Sequence, residues 1–92
     1  MNKYIRSGIS EVIKDKTAFT SEPYVMSSND PIWIGVTGAG PVYIEVKGED
    51  GVWRTYPELT FSGTTAQLVT LKKGLVRFRF AASAATTLEF SV

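Results

Sequence analysis

The fold of this chain is decided by the stretch VYIEVK at residues 42–47, in which apolar and polar side chains alternate at every position. Successive side chains of a β-strand point to opposite faces, so the pattern predicts a strand with Val42, Ile44 and Val46 in the core. The next four residues, GEDG, supply glycines for a tight turn. Because a second strand is predicted at residues 52–56, the centre of the chain is expected to form a β-hairpin.

The same alternation recurs along most of the chain after residue 22, and each stretch ends at Gly, Pro, Asn or Asp. Further strands are predicted at residues 23–27, 32–37, 59–62, 66–71, 75–80 and 86–92. Residues 57–58 and the small residues 81–85 are expected to separate strands as loops. Seven or eight short strands with frequent turns predict an all-β fold, a small antiparallel β-sandwich or jelly-roll-like barrel.

The N-terminal segment, residues 1–20, fits two patterns. Ile9, Val12 and Ile13 match one face of a helix, whereas Ile9, Glu11 and Ile13 also match the alternation of a strand. Gly8 and the β-branched residues lower helix propensity, which favours an N-terminal arm or first strand over a short helix. The predicted organisation is therefore an arm or first strand at residues 1–20, followed by one β-sandwich domain at residues 21–92.

Composition and charge argue against several classes of function. Ten Lys and Arg against nine Asp and Glu give a net charge of +1, too little to gather nucleic acid or a membrane by charge alone. The chain has no His and no Cys, and no nucleophile stands beside a base, so we predict no enzyme activity, no metal and no cofactor. No apolar run approaches the roughly 20 residues of a membrane span, and residues 1–10 lack the pattern of a signal peptide.

Six residues are candidates for contact with a partner: Trp33, Tyr43, Trp53, Tyr56, Arg77 and Arg79. Exposed aromatic rings bind sugar rings or protein surfaces, although Tyr and Trp are more often half-buried beside a core. The run RFRF at residues 77–80 combines arginine with aromatics, as proteins that bind single-stranded nucleic acid do. Alternation places Phe78 and Phe80 in the core, opposite the arginines, and therefore argues against bases stacking on those rings.

Three short motifs carry a resemblance to a known class of protein. Residues 48–53 read GEDGVW, residues 59–61 read LTF and residues 77–80 read RFRF. This succession, which spans under half of the chain, resembles a pattern in small virion proteins of tailed bacteriophages. The resemblance implies a β-sandwich or jelly-roll domain that decorates a capsid or belongs to a head or tail attachment, with no catalytic residues to carry over.

The leading hypothesis is a non-enzymatic structural or interaction protein, located in the virion and made in the host cytoplasm. We expect it to self-associate as a dimer or trimer and to dock on other virion proteins, with residues 1–20 compatible with an arm that reaches a neighbouring subunit. The alternative is a small carbohydrate-binding module that uses the surface aromatics.

Overall fold

The computed structural model describes residues 3–92, which form eight β-strands and no helix. The strands are β1 (Lys3–Ile5), β2 (Ser10–Thr20), β3 (Tyr24–Met26), β4 (Ile32–Thr37), β5 (Val42–Lys47), β6 (Trp53–Phe61), β7 (Thr65–Val69) and β8 (Gly74–Ser91). The prediction of an all-β fold is confirmed.

All eight strands belong to one sheet, and β8 lies at its centre. Val76 pairs with β3 on one side and with β5 on the other, while Leu88 pairs with β2 on one side and with β4 on the other. β6 extends the sheet beyond β5, and β7 extends it beyond β4. The pairings are antiparallel except that β1 runs parallel to β3, so the sheet is mixed rather than purely antiparallel.

Residues 81–85, which were expected to form a loop, are part of β8 instead. Their backbone is held by two hydrogen bonds, from the N–H of Ala81 to the carbonyl of Pro41 and from the N–H of Ser83 to the carbonyl of Gly40. The register with β2 shifts in this region, and β8 exchanges β5 for β4 as its neighbour. Small side chains allow this change of neighbours because they leave room for the strand to bend.

The predicted break at Pro57 and Glu58 is likewise within a strand, β6. The register of β6 against β5 shifts there, since Thr55 pairs with Glu45 whereas Thr60 pairs with Tyr43. Proline is tolerated because β6 pairs with β5 alone, and an edge strand does not need every N–H for its ladder.

The N-terminal segment is extended, not helical, in its described part. Met1 and Asn2 lie outside the described residues, and β2 pairs with β8 from Ser10 opposite Ser91 to Thr20 opposite Arg79. Asp15 has a φ of 55°, in the left-handed region that Asp tolerates better than most residues, and the register shifts on both sides of Lys16.

One face of the sheet encloses the hydrophobic core. Three rings meet near its centre: Tyr24 packs edge-on against Phe78 and Phe90, with centroids 5.7 and 5.3 Å apart. The buried apolar residues are Ile5, Ile13, Tyr24, Met26, Ile32, Ile34, Val36, Val42, Ile44, Phe61, Val69, Leu71, Val76, Phe78, Phe80, Leu88 and Phe90. Phe78 and Phe80 thus lie in the core, as the alternation predicted.

A buried hydroxyl continues the hydrogen bonding of the sheet where the chain passes from β2 to β3. The backbone N–H of Ser21 donates to the carbonyl of Phe78 at 2.9 Å, and the N–H of Phe78 donates to Ser21 Oγ at 2.9 Å. Ser21 Oγ in turn donates to the carbonyl of Glu22 at 3.0 Å. The Ser21 side chain therefore accepts a hydrogen bond from a backbone N–H of β8 that lies between β2 and β3 and pairs with neither strand.

We expect Ser21→Ala to lower the free energy of unfolding by about 1–3 kcal/mol, because it leaves the buried N–H of Phe78 without an acceptor. The measurement is urea unfolding followed by tryptophan fluorescence, with Ser62→Ala as a control at an exposed serine. Equal midpoints for the two variants would contradict this role of Ser21.

Candidate functional site

Four of the six candidate residues lie together on the face of the sheet opposite the core. Tyr43 is directly opposite Arg79, and Glu45 is directly opposite Arg77, on β5 and β8. Trp53 on β6 lies opposite Lys47, two residues along β5 from Glu45. We call the cluster of Tyr43, Glu45, Trp53, Arg77 and Arg79 the aromatic–arginine face.

The carboxylate of Glu45 holds the centre of this face. Arg77 Nε donates to Glu45 Oε1 at 2.8 Å, and Arg79 Nε donates to Glu45 Oε2 at 3.0 Å. Thr55 Oγ1 contributes a longer hydrogen bond to Oε2, at 3.4 Å. Burial alone would raise the pKa of Glu45, but the hydrogen bonds and positive charges of the two arginines outweigh it and hold the pKa below its ordinary value.

Each guanidinium also stacks on an aromatic ring. The Cζ atom of Arg77 lies 4.3 Å from the ring centroid of Trp53, and the Cζ atom of Arg79 lies 4.4 Å from that of Tyr43. Both distances are within the range of a cation–π interaction. Because each arginine contacts a carboxylate and a ring at once, its side chain is fixed in one orientation.

The terminal nitrogens of the two arginines are available to a ligand. Both guanidiniums reach Glu45 through Nε, and their Nη atoms make no hydrogen bond to any residue of 3–92. The side chains are 27% exposed for Arg77 and 38% exposed for Arg79. Lys47, opposite Trp53, places its Nζ 5.9 Å from the centroid of that ring, so a third cation borders the aromatic–arginine face. This arrangement is suited to a carboxylate or another oxyanion.

The other two candidate residues lie elsewhere. Trp33 on β4 is 39% exposed, and its ring covers Gly35, where an added Cβ would come within 2.6 Å of the ring. Tyr56 is half-buried against the core, and its hydroxyl accepts the backbone N–H of Lys72 at 3.1 Å. Tyr56 therefore fits the structural alternative, a half-buried tyrosine with a bonded hydroxyl.

Sequence reasoning missed Glu45, which was not among the six candidate contact residues. The signal available was an acid at the middle of an alternating strand together with two arginines at alternate positions of another strand. Glu45 and Arg77 are 32 residues apart in the chain, and only the pairing of β5 with β8 brings them together. The register of that pairing cannot be read from either strand alone.

A pocket of about 200 Å³ lies away from the aromatic–arginine face, near the junction of β2 and β3. Its lining residues are Lys3, Ile13, Phe19, Ser21, Glu22, Pro23 and Tyr24. None of the six candidate residues contributes to it.

Residues 3–92 contain neither a cluster of metal-ligating side chains nor a membrane-spanning helix. No three His, Cys, Asp or Glu side chains in this range come together as a metal site. Nor does it contain a helix with the length and hydropathy required to span a membrane.

Comparison with protein family models, with curated proteins and with solved structures finds no match for this chain. The resemblance to small virion proteins of tailed bacteriophages therefore depends on the three sequence motifs alone.

We expect Glu45→Gln to lower the free energy of unfolding by about 1–3 kcal/mol at neutral pH, because the amide removes the negative charge and replaces one of the two acceptor oxygens with a donor that faces an arginine. The folded-state pKa of Glu45 is depressed, so its stabilisation is fully present above its unfolded pKa, near 4.5, and is lost as the pH falls through the folded pKa. The stability difference between wild type and variant should shrink on acidification.

The measurement is urea unfolding of both proteins from about pH 7 to pH 2, spanning the ordinary range of carboxyl titration. Asp50, whose pKa its hydrogen bond to Arg54 lowers to about 2, is present in both proteins and cancels in the difference. Glu58→Gln serves as the control at an exposed glutamate. A difference that stays constant with pH would contradict the pairing of Glu45 with the arginines.

Proposed function

We propose that this chain is a non-enzymatic interaction domain that binds another protein through the aromatic–arginine face. The observation that carries the proposal is the pair of guanidiniums fixed side by side on Glu45, with their terminal nitrogens unbonded within residues 3–92. Arg, Trp and Tyr are the residue types that contribute most to binding energy in protein interfaces.

The rigidity of the arginines supports a role in recognition. An arginine that orders only on binding loses side-chain entropy at that moment, which weakens the complex. Arg77 and Arg79 are already held by a carboxylate on one side and a ring on the other. Their donors are therefore oriented before a partner arrives.

The local charge supports a partner of a particular chemistry. Arg77 and Arg79 share the single carboxylate of Glu45, and Lys47 lies beside Trp53, so the aromatic–arginine face is positive although the whole chain carries only +1. Oppositely charged surfaces attract, and guanidinium groups bind carboxylates through paired hydrogen bonds. We infer that the partner surface presents Asp or Glu side chains.

The motif resemblance supplies the setting that we propose. In a virion of a tailed bacteriophage, such a domain would self-associate as a dimer or trimer and dock on capsid or tail proteins. This setting rests on the motifs at residues 48–53, 59–61 and 77–80.

We expect selection from a library of displayed random peptides, with the folded domain as bait, to enrich peptides containing closely spaced Asp or Glu. Affinity should fall by about tenfold or more for the double variant Arg77→Lys, Arg79→Lys, because lysine keeps the charge but loses the planar fork and the stacking. Arg54→Lys, at an exposed arginine of the β5–β6 hairpin, is the matched control.

Peptides without acidic residues, or equal binding to wild type and to the double variant, would overturn the proposal. Salt-dependent binding of a single-stranded oligonucleotide that the double variant loses would instead assign the aromatic–arginine face to nucleic acid.

A second candidate function, binding of carbohydrate, is favoured by one observation. The ring of Trp33 lies over Gly35 and is 39% exposed, which leaves its outer surface available to a sugar ring. Trp53 and Tyr43 offer less ring surface to a sugar, because an arginine already covers one face of each ring.

On the leading proposal, a glycan panel should show no binding to the wild-type domain and no change in tryptophan fluorescence. A glycan whose binding is lost in Trp33→Ala, but kept in Tyr43→Ala, would establish the second candidate.

A further inference from the structure

The outer edge of β7 carries unpaired backbone groups. Within residues 3–92, this five-residue strand hydrogen-bonds to β4 and to no other strand. A strand of this kind presents a row of N–H and C=O groups that another strand can pair with. Proteins that stay monomeric protect such edges with charges, prolines, bulges or very short strands.

The other edge strands of the sheet carry this protection. β1 is three residues long and begins with Lys3. β2 contains Lys14 and Lys16 and has an irregular register with β8. β6 contains Pro57 and a register shift against β5.

β7 has none of these features. Its sequence is TAQLV, and the surrounding residues 59–71 read LTFSGTTAQLVTL, without a charged side chain or a proline. Its five residues pair with β4 in unbroken register, from Val69 opposite Ile32 to Thr65 opposite Val36. β7 is therefore the least protected edge of the described sheet.

Apolar surface adjoins this edge. Leu68 is 68% exposed, the highest fraction among the large hydrophobic residues of 3–92, and it pairs with Trp33 on β4. Ala66 is exposed at the alternate position on the same face of β7. A strand added to β7 would cover Leu68 and Ala66 as well as the backbone groups.

We propose that two copies of this chain associate by pairing β7 with β7 of the second copy, antiparallel and about a twofold axis. A register centred on Gln67 places Leu68 of each copy beside Ala66 of the other, so the exposed apolar side chains cover one another. Because residues 59–71 are uncharged, the two strands meet without like-charge repulsion. A twofold contact of this kind closes on itself and stops at the dimer.

The proposed interface is formed by the outer edge of β7, whereas the aromatic–arginine face is built from β5, β6 and β8. The proposal of a β7 dimer therefore stands independently of the partner proposed for the aromatic–arginine face. Because the two surfaces consist of different residues, substitutions can test each surface separately.

The test is the absolute mass of the protein by light scattering coupled to size exclusion, over about a hundredfold range of concentration. We expect the wild type to reach twice the 10.1 kDa of one chain at the highest concentrations. Leu68→Lys and Ala66→Lys should each raise the dissociation constant by about tenfold or more, because lysine on an edge strand opposes pairing. Arg77→Lys with Arg79→Lys should leave the dimer unchanged.

Val52→Lys is the matched control, because Val52 is a 50% exposed valine in the β5–β6 hairpin, away from β7. A wild type that is monomeric across the range would overturn the proposal. A dimer or larger assembly that persists in both Leu68→Lys and Ala66→Lys would also overturn it. The same holds for an assembly that Val52→Lys weakens as much as the two β7 variants do.

Hydrogen exchange of the wild type tests the same interface without a substitution. Amides of residues 65–69 that point away from β4 should become protected as the concentration rises, and amides of β6 should not. Exchange at β7 that is independent of concentration, in a sample whose mass is that of a dimer, would place the interface elsewhere and overturn the proposal.

Discussion

The sheet depends on β8, because this strand hydrogen-bonds along both of its edges. β3 and β2 line one edge in succession, while β5 and β4 line the other. A strand of 18 residues serves four neighbours only if it changes them part-way along. On one edge β5 gives way to β4 at residues 81–85, where the side chains are small, and on the other edge β3 gives way to β2 between Val76 and Arg79. Because four strands pair with β8, most of the sheet assembles only when residues 74–91 are present.

The alternation of β8 produces the core and the aromatic–arginine face together. Phe78 and Phe80 are buried among the apolar side chains, and Arg77 and Arg79 extend from the opposite face of the same strand. Pairing with β5 then sets Glu45 between the two arginines at hydrogen-bond distance. A shift of β5 by one residue would turn its core residues outward, so the register that buries the core also assembles the aromatic–arginine face.

The two proposed surfaces would work through different physical interactions. The aromatic–arginine face would act through oriented charge, with donors that are fixed before binding. The edge of β7 would act through backbone hydrogen bonds and the burial of apolar side chains, and its lack of charge suits contact with an identical strand. A chain with both surfaces would associate with itself and still leave its positive face to an acidic partner.

The sequence by itself determined the all-β class, most of the strands and the inward residues, because alternation reports directly which side chains share a face. It was misleading at residues 57–58 and 81–85, where proline and small residues resemble loop sequence but lie within strands. Only the tertiary structure decided that Arg77 and Arg79 bind Glu45 and stack on Trp53 and Tyr43, while Trp33 and Tyr56 lie elsewhere. The reason is that contacts between strands depend on strand order and register, which arise from packing across the whole sheet and leave no local trace in the sequence.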